Sequence, residues 1–178
     1  MSRYFFAVTP PSPYKEQIDE VRGRWGHPHH PVEPHITAKA PFAWPDDPEQ
    51  FLAPVRAACG QVAPFQAQLG PTGRFPNAGV LFLTPEGQGF TTLHLAVLHA
   101  LAGLVPADSH GHEGEGYHPH LTLAVTRFGI DSEGMAAMAR VAEQELTGLP
   151  PFRVEALTCY QMAAEEESWQ VFCRLPLG

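Results

Sequence analysis

The chain has 178 residues, 44% of them hydrophobic, which is enough to form a single globular domain over residues 1–178 with a sizeable core. Its formal net charge of −8 argues against binding to duplex DNA, which requires many cationic phosphate contacts. No apolar run is long enough to span a membrane, and three cysteines without metal-type spacing favour a reducing, cytoplasmic location.

Hydrophobic periodicity and turn residues predict an alternation of strands and helices along the chain. A first strand leads through a Pro-rich turn into a helix whose predicted N-cap is Ser12, and the last helix has Asp131 or Ser132 as its cap. The predicted strands are 3–9, 35–42, 65–69, 79–84, 120–127, 152–162 and 169–175. The predicted helices are 13–24, a segment from the turn at 45–48 to about 59, 91–104 and 131–146. The predicted loops include 26–34, 70–77 and 106–117.

One short pattern occurs twice in the chain. Pro34-His35-Ile36-Thr37-Ala38 returns, almost unchanged, as Pro119-His120-Leu121-Thr122-Leu123. Because side chains alternate along a strand, each copy presents a His and a Thr on one face and turns the apolar residue between them into the core. The repeat therefore predicts two strands with matching polar faces.

The spacing of the two copies indicates an internal duplication. They lie 85 residues apart, close to half the chain, and each half carries strands and two helices in similar order. This pattern predicts an α+β fold with two lobes of antiparallel sheet, related by a pseudo-twofold axis, with outer helices around a central cleft. The two motif strands are expected to face each other across that cleft.

The residue types in the motifs suit acid–base chemistry at a phosphodiester. Imidazole can give or take a proton near neutral pH, so His35 and His120 are the candidate catalytic residues. The neighbouring hydroxyls of Thr37 and Thr122 are able to bond phosphate oxygens. The alternative is a pair of hydrogen-bonded core histidines beside threonines that are present only for their strand propensity.

Three cations are candidate substrate-binding residues. Lys39 shares a face with His35 and Thr37 if the strand alternates regularly, and would then neutralise phosphate; the alternative is an exposed lysine on an edge strand. Arg74 and Arg127 are candidate phosphate or ribose contacts, and each is equally consistent with a solvated surface charge.

Together the two motifs resemble those of the 2H phosphoesterase superfamily, which is named for a pair of His-x-Thr/Ser motifs. The chain is most similar to the bacterial 2′-5′ RNA ligase-like branch, which includes cyclic nucleotide phosphodiesterases. Residues 3–8 resemble the family's opening strand, residues 69–83 its central loop and strand, and residues 35–42 a first motif that carries a Lys. One departure is that many relatives place an Arg directly after the Ala of the second motif strand, whereas here it stands at Arg127.

Two imidazoles on opposite sides of one phosphate indicate in-line displacement without a metal or other cofactor. A 2′,3′-cyclic phosphate suits such a site, and the resemblance implies both its hydrolysis and the reverse reaction, 2′-5′ RNA ligation. The expected partners are RNA ends or small cyclic nucleotides. The family pattern makes His35 the acid and His120 the base, although the residues themselves leave that order open.

Two alternatives of different kinds stay open at the level of sequence. One is a non-catalytic module that binds RNA termini or cyclic phosphate, although a pure binder needs no imidazole that cycles protons. The other is metal-dependent hydrolysis that uses the histidines at 27–30 and 110–112, for which surface loop histidines are the simpler interpretation. We expect a monomer.

Overall fold

A computed structural model describes residues 1–25, 32–106, 112–163 and 168–178 of the chain. Within these ranges the strands are β1 (Ser2–Val8), β2 (Ile36–Trp44), β3 (Phe65–Phe75), β4 (Val80–Glu86), β5 (Leu121–Val125), β6 (Phe152–Val154), β7 (Ala156–Met162) and β8 (Gln170–Pro176). The helices are α1 (Tyr14–Gly23), α2 (Glu49–Cys59), α3 (Gly89–Ala100) and α4 (Ser132–Glu145). None of the helices in the described ranges is long and apolar enough to cross a membrane.

The eight strands form one curled sheet in the order β6-β3-β4-β5-β2-β1-β7-β8, and neighbouring strands run antiparallel. Strands β5 and β2 meet at the centre, and three further strands extend from each of them. The predicted α+β fold with two related lobes of antiparallel sheet is therefore confirmed.

The two halves of the chain exchange strands. β1 and β2 of the first half share one lobe with β7 and β8 of the second half, and β3 and β4 of the first half share the other lobe with β5 and β6. The single strand predicted over 152–162 is wrong, because Glu155 divides it into β6, paired with β3, and β7, paired with β1. One residue separates two strands that stand far apart in the sheet order, so the sheet has to curl.

All four helices pack on one face of the sheet. Buried side chains from each helix join the sheet residues in the main core: Ile18 from α1, Phe51 from α2, Leu93 from α3 and Met138 from α4. The apolar residues at the centre of the two motifs, Ile36 and Leu121, are fully buried in this core. Their His and Thr neighbours therefore face the opposite, concave side of the sheet.

Two predicted boundaries were wrong for local reasons. The predicted loop 70–77 is mostly the second half of β3, whose register shifts between Leu69 and Thr72, where Pro71 cannot donate to a neighbouring strand. Strand β5 ends at Val125 and not at residue 127, because residues 126–128 form a 3₁₀ turn that ends at Gly129 with φ 95°.

The helix caps agree with prediction in one of two places. The Asp131 carboxylate accepts the Gly134 backbone N–H at 2.7 Å and caps α4. The Ser12 hydroxyl instead donates to the Glu16 carboxylate at 2.5 Å, so it caps no backbone group of α1.

Arg22 on α1 connects the helix layer to the centre of the sheet. Only 1% of Arg22 is exposed, and its Nη2 donates to the backbone carbonyl of Thr122 on β5. Its Nη1 lies 3.2 Å from the Asp19 carboxylate. Burial lowers the Arg22 pKa to about 10, which still leaves the guanidinium charged at neutral pH. A buried cation thus lies directly behind the second motif strand.

We expect Arg22→Met to lower the free energy of unfolding by about 1–3 kcal/mol, because it removes a charge-assisted hydrogen bond to a buried carbonyl. The matched control is Arg24→Met at the C-terminal end of the same helix, where the ion pairs to Glu20 and Glu145 are exposed and screened by solvent and a smaller loss is expected. Urea denaturation measures both. A variant at Arg22 as stable as the parent would mean that desolvation of the guanidinium cancels its hydrogen bond.

Candidate active site

The two motif strands meet at the centre of the sheet through one residue pair, Ile36 with Leu121. Continuing this antiparallel register by one residue in each direction places His35 opposite Thr122 and Thr37 opposite His120. Side chains that are directly opposite on one face have Cβ atoms about 4.5–5.5 Å apart, and diagonal ones about 7–8 Å. The two histidines are such a diagonal pair.

Each motif histidine is held by the same backbone contact. His35 Nδ1 lies 2.8 Å from the Glu33 carbonyl, and His120 Nδ1 lies 2.8 Å from the His118 carbonyl, two residues before it in both cases. A carbonyl only accepts, so each Nδ1 carries the proton and donates it. The Nε2 atom of each ring is consequently the nitrogen that can exchange a proton with a ligand.

Aromatic rings surround both histidines on the concave face. The His35 ring lies 5.2 Å from Phe5 and 6.2 Å from Tyr160, measured between ring centroids. The His120 ring lies 5.1 Å from Phe75 and 5.5 Å from Phe82. These rings restrict each imidazole to one orientation and exclude water from one of its sides.

The environment of His120 favours its neutral form. Burial is the main cause that lowers the His120 pKa, and the positive charge of a protonated His118 or His112 would lower it further. The hydrogen bond to the His118 carbonyl opposes this shift. At neutral pH the His120 Nε2 therefore has a free lone pair.

A cavity of about 550 Å³ opens on the His120 side of the concave face. Thr37, His118 and His120 line it together with mainly apolar side chains, which include Ala40, Pro41, Phe75 and Val80. No Lys or Arg is among the described residues that line it. The cavity is large enough for a small organic ligand and has polar groups at one wall.

Lys39 does not share the face of His35 and Thr37, and the predicted orientation of its side chain is wrong. The register of β2 against β1 shifts on both sides of Lys39, so regular alternation fails there. The Lys39 side chain is 3% exposed, and its Nζ donates to Glu113 Oε1 at 2.8 Å. Its charge is thus balanced inside the protein.

The placement of the two candidate arginines also gives no support for substrate contacts. Arg74 pairs with the fully buried Leu81, whereas the next residue, Phe75, contacts the rings of His118 and His120. Arg74 therefore lies on the helix side of the sheet, and its side chain is exposed. Arg127 lies beyond the end of β5 and stacks on Phe128, with its Cζ 4.9 Å from the ring centroid.

A buried network that the sequence did not reveal closes one side of the cavity. His94 on α3 is fully buried; its Nδ1 donates to the Ala38 carbonyl at 2.6 Å and its Nε2 accepts the Gly114 N–H at 2.8 Å. The Tyr117 ring stacks on His94 at 3.8 Å, and the Tyr117 hydroxyl donates to the Thr37 carbonyl at 3.0 Å. The segment 113–117 is thereby attached to β2.

The loop histidines cannot all be placed. His27, His29, His30 and His110 lie outside the described residues. Among the residues that are described, no group of three or more His, Cys, Asp or Glu side chains is arranged to hold a metal ion.

Comparisons with known proteins agree with this geometry. The model of the 2′-5′ RNA ligase superfamily matches residues 9–166. A Staphylococcus aureus (strain Newman) protein provisionally named a phosphoesterase is 24% identical over 174 residues, 93% of each chain. Among solved structures, TT0787 of Thermus thermophilus has a TM-score of 0.66 at 22% identity, covering 98% of this chain and 97% of that one. Escherichia coli LigT complexed with 3′-AMP has a TM-score of 0.66 at 20% identity, covering 99% and 98%.

The His94 network predicts a pH-dependent stability. Burial lowers the His94 pKa, and only the neutral ring donates at Nδ1 and accepts at Nε2 together. Below about pH 6.5, His94 is protonated in the unfolded chain but stays neutral in the folded chain, because its pKa is lower there. The free energy of unfolding therefore falls as the pH drops below that value.

We expect His94→Gln to be less stable than the parent at pH 7.5 and the difference to shrink towards pH 5, by at most about 1.4 kcal/mol per pH unit. Chemical denaturation across this range measures it. His99→Gln, an exposed site on the same helix, is the control and should leave the pH slope unchanged. A stability difference that is constant with pH would show that His94 does not resist protonation.

Proposed function

The chain belongs to the 2′-5′ RNA ligase superfamily of phosphoesterases, and we propose that it hydrolyses 2′,3′-cyclic phosphate ends of RNA or nucleotides without a metal, through two-histidine acid–base catalysis. The observation that carries this proposal is the matched support of His35 and His120, each with Nδ1 bonded to the carbonyl two residues earlier. Because Nδ1 is the donor to that carbonyl in both rings, Nε2 is in both the nitrogen that would exchange a proton with a phosphate on the concave face.

The two histidines take opposite roles. His120, whose pKa burial lowers, accepts a proton at Nε2 from the water that attacks phosphorus. As the new P–O bond forms, the P–O bond to one ribose oxygen breaks, and protonated His35 donates its Nε2 proton to that oxygen. The products are a ribose hydroxyl and a phosphomonoester, and the two imidazoles end with exchanged protonation states that solvent restores.

The threonines bind the phosphate itself. Thr37 and Thr122 alternate with the two histidines on one face, so their hydroxyls can donate to the non-bridging oxygens as negative charge increases. The apolar cavity beside His120 takes the nucleoside, with Phe75 and the His118 ring as surfaces for the base. The structural neighbour LigT has been crystallised with 3′-AMP, which supports a nucleotide ligand for this fold.

Ligation is the same displacement at the cyclic phosphate with a different nucleophile. A 5′-hydroxyl of a second RNA strand replaces water as the nucleophile. As its oxygen bonds to phosphorus, the P–O bond to the ribose 3′ oxygen breaks and that oxygen takes a proton, which leaves a 2′-5′ phosphodiester. The family to which the chain belongs is named for this reaction. Hydrolysis is the favoured direction because water is far more abundant than RNA ends.

Replacing either histidine tests the catalytic roles. We expect His35→Ala and His120→Ala each to lower kcat/KM for a nucleoside 2′,3′-cyclic phosphate by about 10²–10⁴, measured in EDTA. Thr37→Ala and Thr122→Ala remove one charge-assisted hydrogen bond each, worth about 1.5–3 kcal/mol. His99→Ala, on the exposed side of α3, is the matched control and should retain full activity.

Two outcomes would contradict the proposal. Full activity in a double His35→Ala, His120→Ala variant would show that the two motif histidines are not the acid and the base. Loss of activity in EDTA would indicate that the reaction requires a metal. Tight binding of the cyclic phosphate by the parent protein without turnover would instead identify a non-catalytic binding module.

The pH profile tests which histidine is the base. The base has to be neutral, and the His120 pKa is lowered. We therefore expect the acid limb of the kcat/KM profile to have its midpoint at a pH below the ordinary imidazole pKa of about 6.5. Removing the neighbouring positive charge with His118→Gln should move that limb to higher pH, whereas His99→Gln should not move it. An acid limb at or above pH 6.5 would make His120 a poor candidate for the base.

A further inference from the structure

Three of the chain's eleven Lys and Arg residues line one cavity, although the chain as a whole is acidic. Lys15, Arg153 and Arg174 surround a space of about 360 Å³, and the hydroxyl residues Thr9, Ser12 and Thr158 also line it. Cations with several hydroxyl donors form the kind of lining that binds phosphate. This cavity, which we term the basic cavity, is separate from the apolar cavity beside His120 and shares no lining residue with it.

The basic cavity lies next to the His35 side of the candidate active site. Ala7 on β1 pairs with Thr37 on one side and with Thr158 on the other, so these two threonines are two strand spacings apart, about 10 Å. Thr158 in turn pairs with Arg174. Between the cavity and His35 stands Tyr160, whose hydroxyl lies 2.7 Å from Thr9 Oγ1.

One lysine connects the basic cavity to the support of His35. Lys15 Nζ lies 2.6 Å from the Glu33 carboxylate, which also accepts the Tyr160 hydroxyl at 2.7 Å. The backbone carbonyl of the same Glu33 accepts the His35 Nδ1–H. An anion in the cavity would therefore meet a cation that is already fixed relative to the catalytic imidazole.

We propose that the basic cavity is a second phosphate subsite, which holds the phosphate on the 5′ side of the nucleoside whose cyclic phosphate reacts between His35 and His120. The inference rests on the proposed function and narrows its substrate class to oligonucleotide ends in preference to mononucleotides. The backbones of Thr37 and Thr158 are about 10 Å apart, which is farther than two oxygens of one phosphate lie from each other, so the basic cavity would take a different phosphate group of the substrate.

The described cations are distributed unevenly between the two cavities, which favours the basic cavity as the second phosphate site. Among the described residues, the cavity beside His120 has no Lys or Arg in its lining, and Lys39 is neutralised by Glu113. Arg153 lies 3.2 Å from Glu155, and both of these side chains are more than half exposed, so that ion pair can rearrange around a phosphate. Arg174 is exposed, and its charge acts on Glu33 and Tyr160.

The experiment compares two small ligands that differ by one phosphate. Calorimetry measures the affinity of uridine 3′-monophosphate and of uridine 3′,5′-bisphosphate for the parent protein and for three variants. Arg174→Gln and Arg153→Gln alter the basic cavity, and Arg140→Gln on the exposed side of α4 makes the same charge change elsewhere. The readout is the affinity ratio of the two ligands within each variant, so that any general loss of stability cancels.

We expect the bisphosphate to bind the parent about tenfold more tightly than the monophosphate, with a gain that decreases as salt increases. The gain should be lost in Arg174→Gln and reduced in Arg153→Gln, and retained in Arg140→Gln. Equal affinities in the parent would overturn the inference, as would a gain that survives in both cavity variants or is lost equally in Arg140→Gln.

Activity separates this inference from the proposed function. If the protein hydrolyses a cyclic phosphate but binds the bisphosphate no more tightly than the monophosphate, the second subsite alone is overturned. If the protein binds the bisphosphate more tightly but hydrolyses no cyclic phosphate, the proposed reaction is overturned and the subsite is retained.

Discussion

The central constraint in this protein is the single pairing of β2 with β5. One residue pair, Ile36 with Leu121, joins the two lobes of the sheet and turns both apolar side chains into the helix-covered core. Because side chains alternate, the same pairing exposes the two His-x-Thr sets on the concave face, diagonal to each other. The core and the candidate active site therefore depend on the same register, and a shift by one residue would exchange them.

The surroundings of the two histidines are similar but carry different charges. Both imidazoles have the same tautomer, because a carbonyl two residues earlier accepts each Nδ1–H. His120 lines an apolar cavity and burial lowers its pKa, whereas His35 contacts the backbone of Glu33, whose carboxylate binds Lys15 of the basic cavity. The proposed hydrolysis assigns opposite proton transfers to the two imidazoles of this pseudo-symmetric scaffold.

Sequence patterns predicted most of the elements, and the errors have physical causes. The pattern at 152–162 is one continuous strand signal, yet Glu155 divides it between two lobes, because β6 pairs with β3 in one lobe and β7 pairs with β1 in the other. Regular alternation placed Lys39 beside His35, but register shifts in β2 turn it towards Glu113. Both errors arise from strand pairing with distant residues, which local periodicity does not report.

Three features follow from local spacing and repetition alone and could be read from the residues: the duplicated His-x-Thr motifs, the alternation that gives each His and Thr a common face, and the α+β class. The grouping of cations in the basic cavity, in contrast, depends on long-range packing. Lys15, Arg153 and Arg174 come from a helix, an edge strand and the last strand, so their approach depends on the curl of the sheet. Charges far apart in the chain form a site only when long-range packing brings them together.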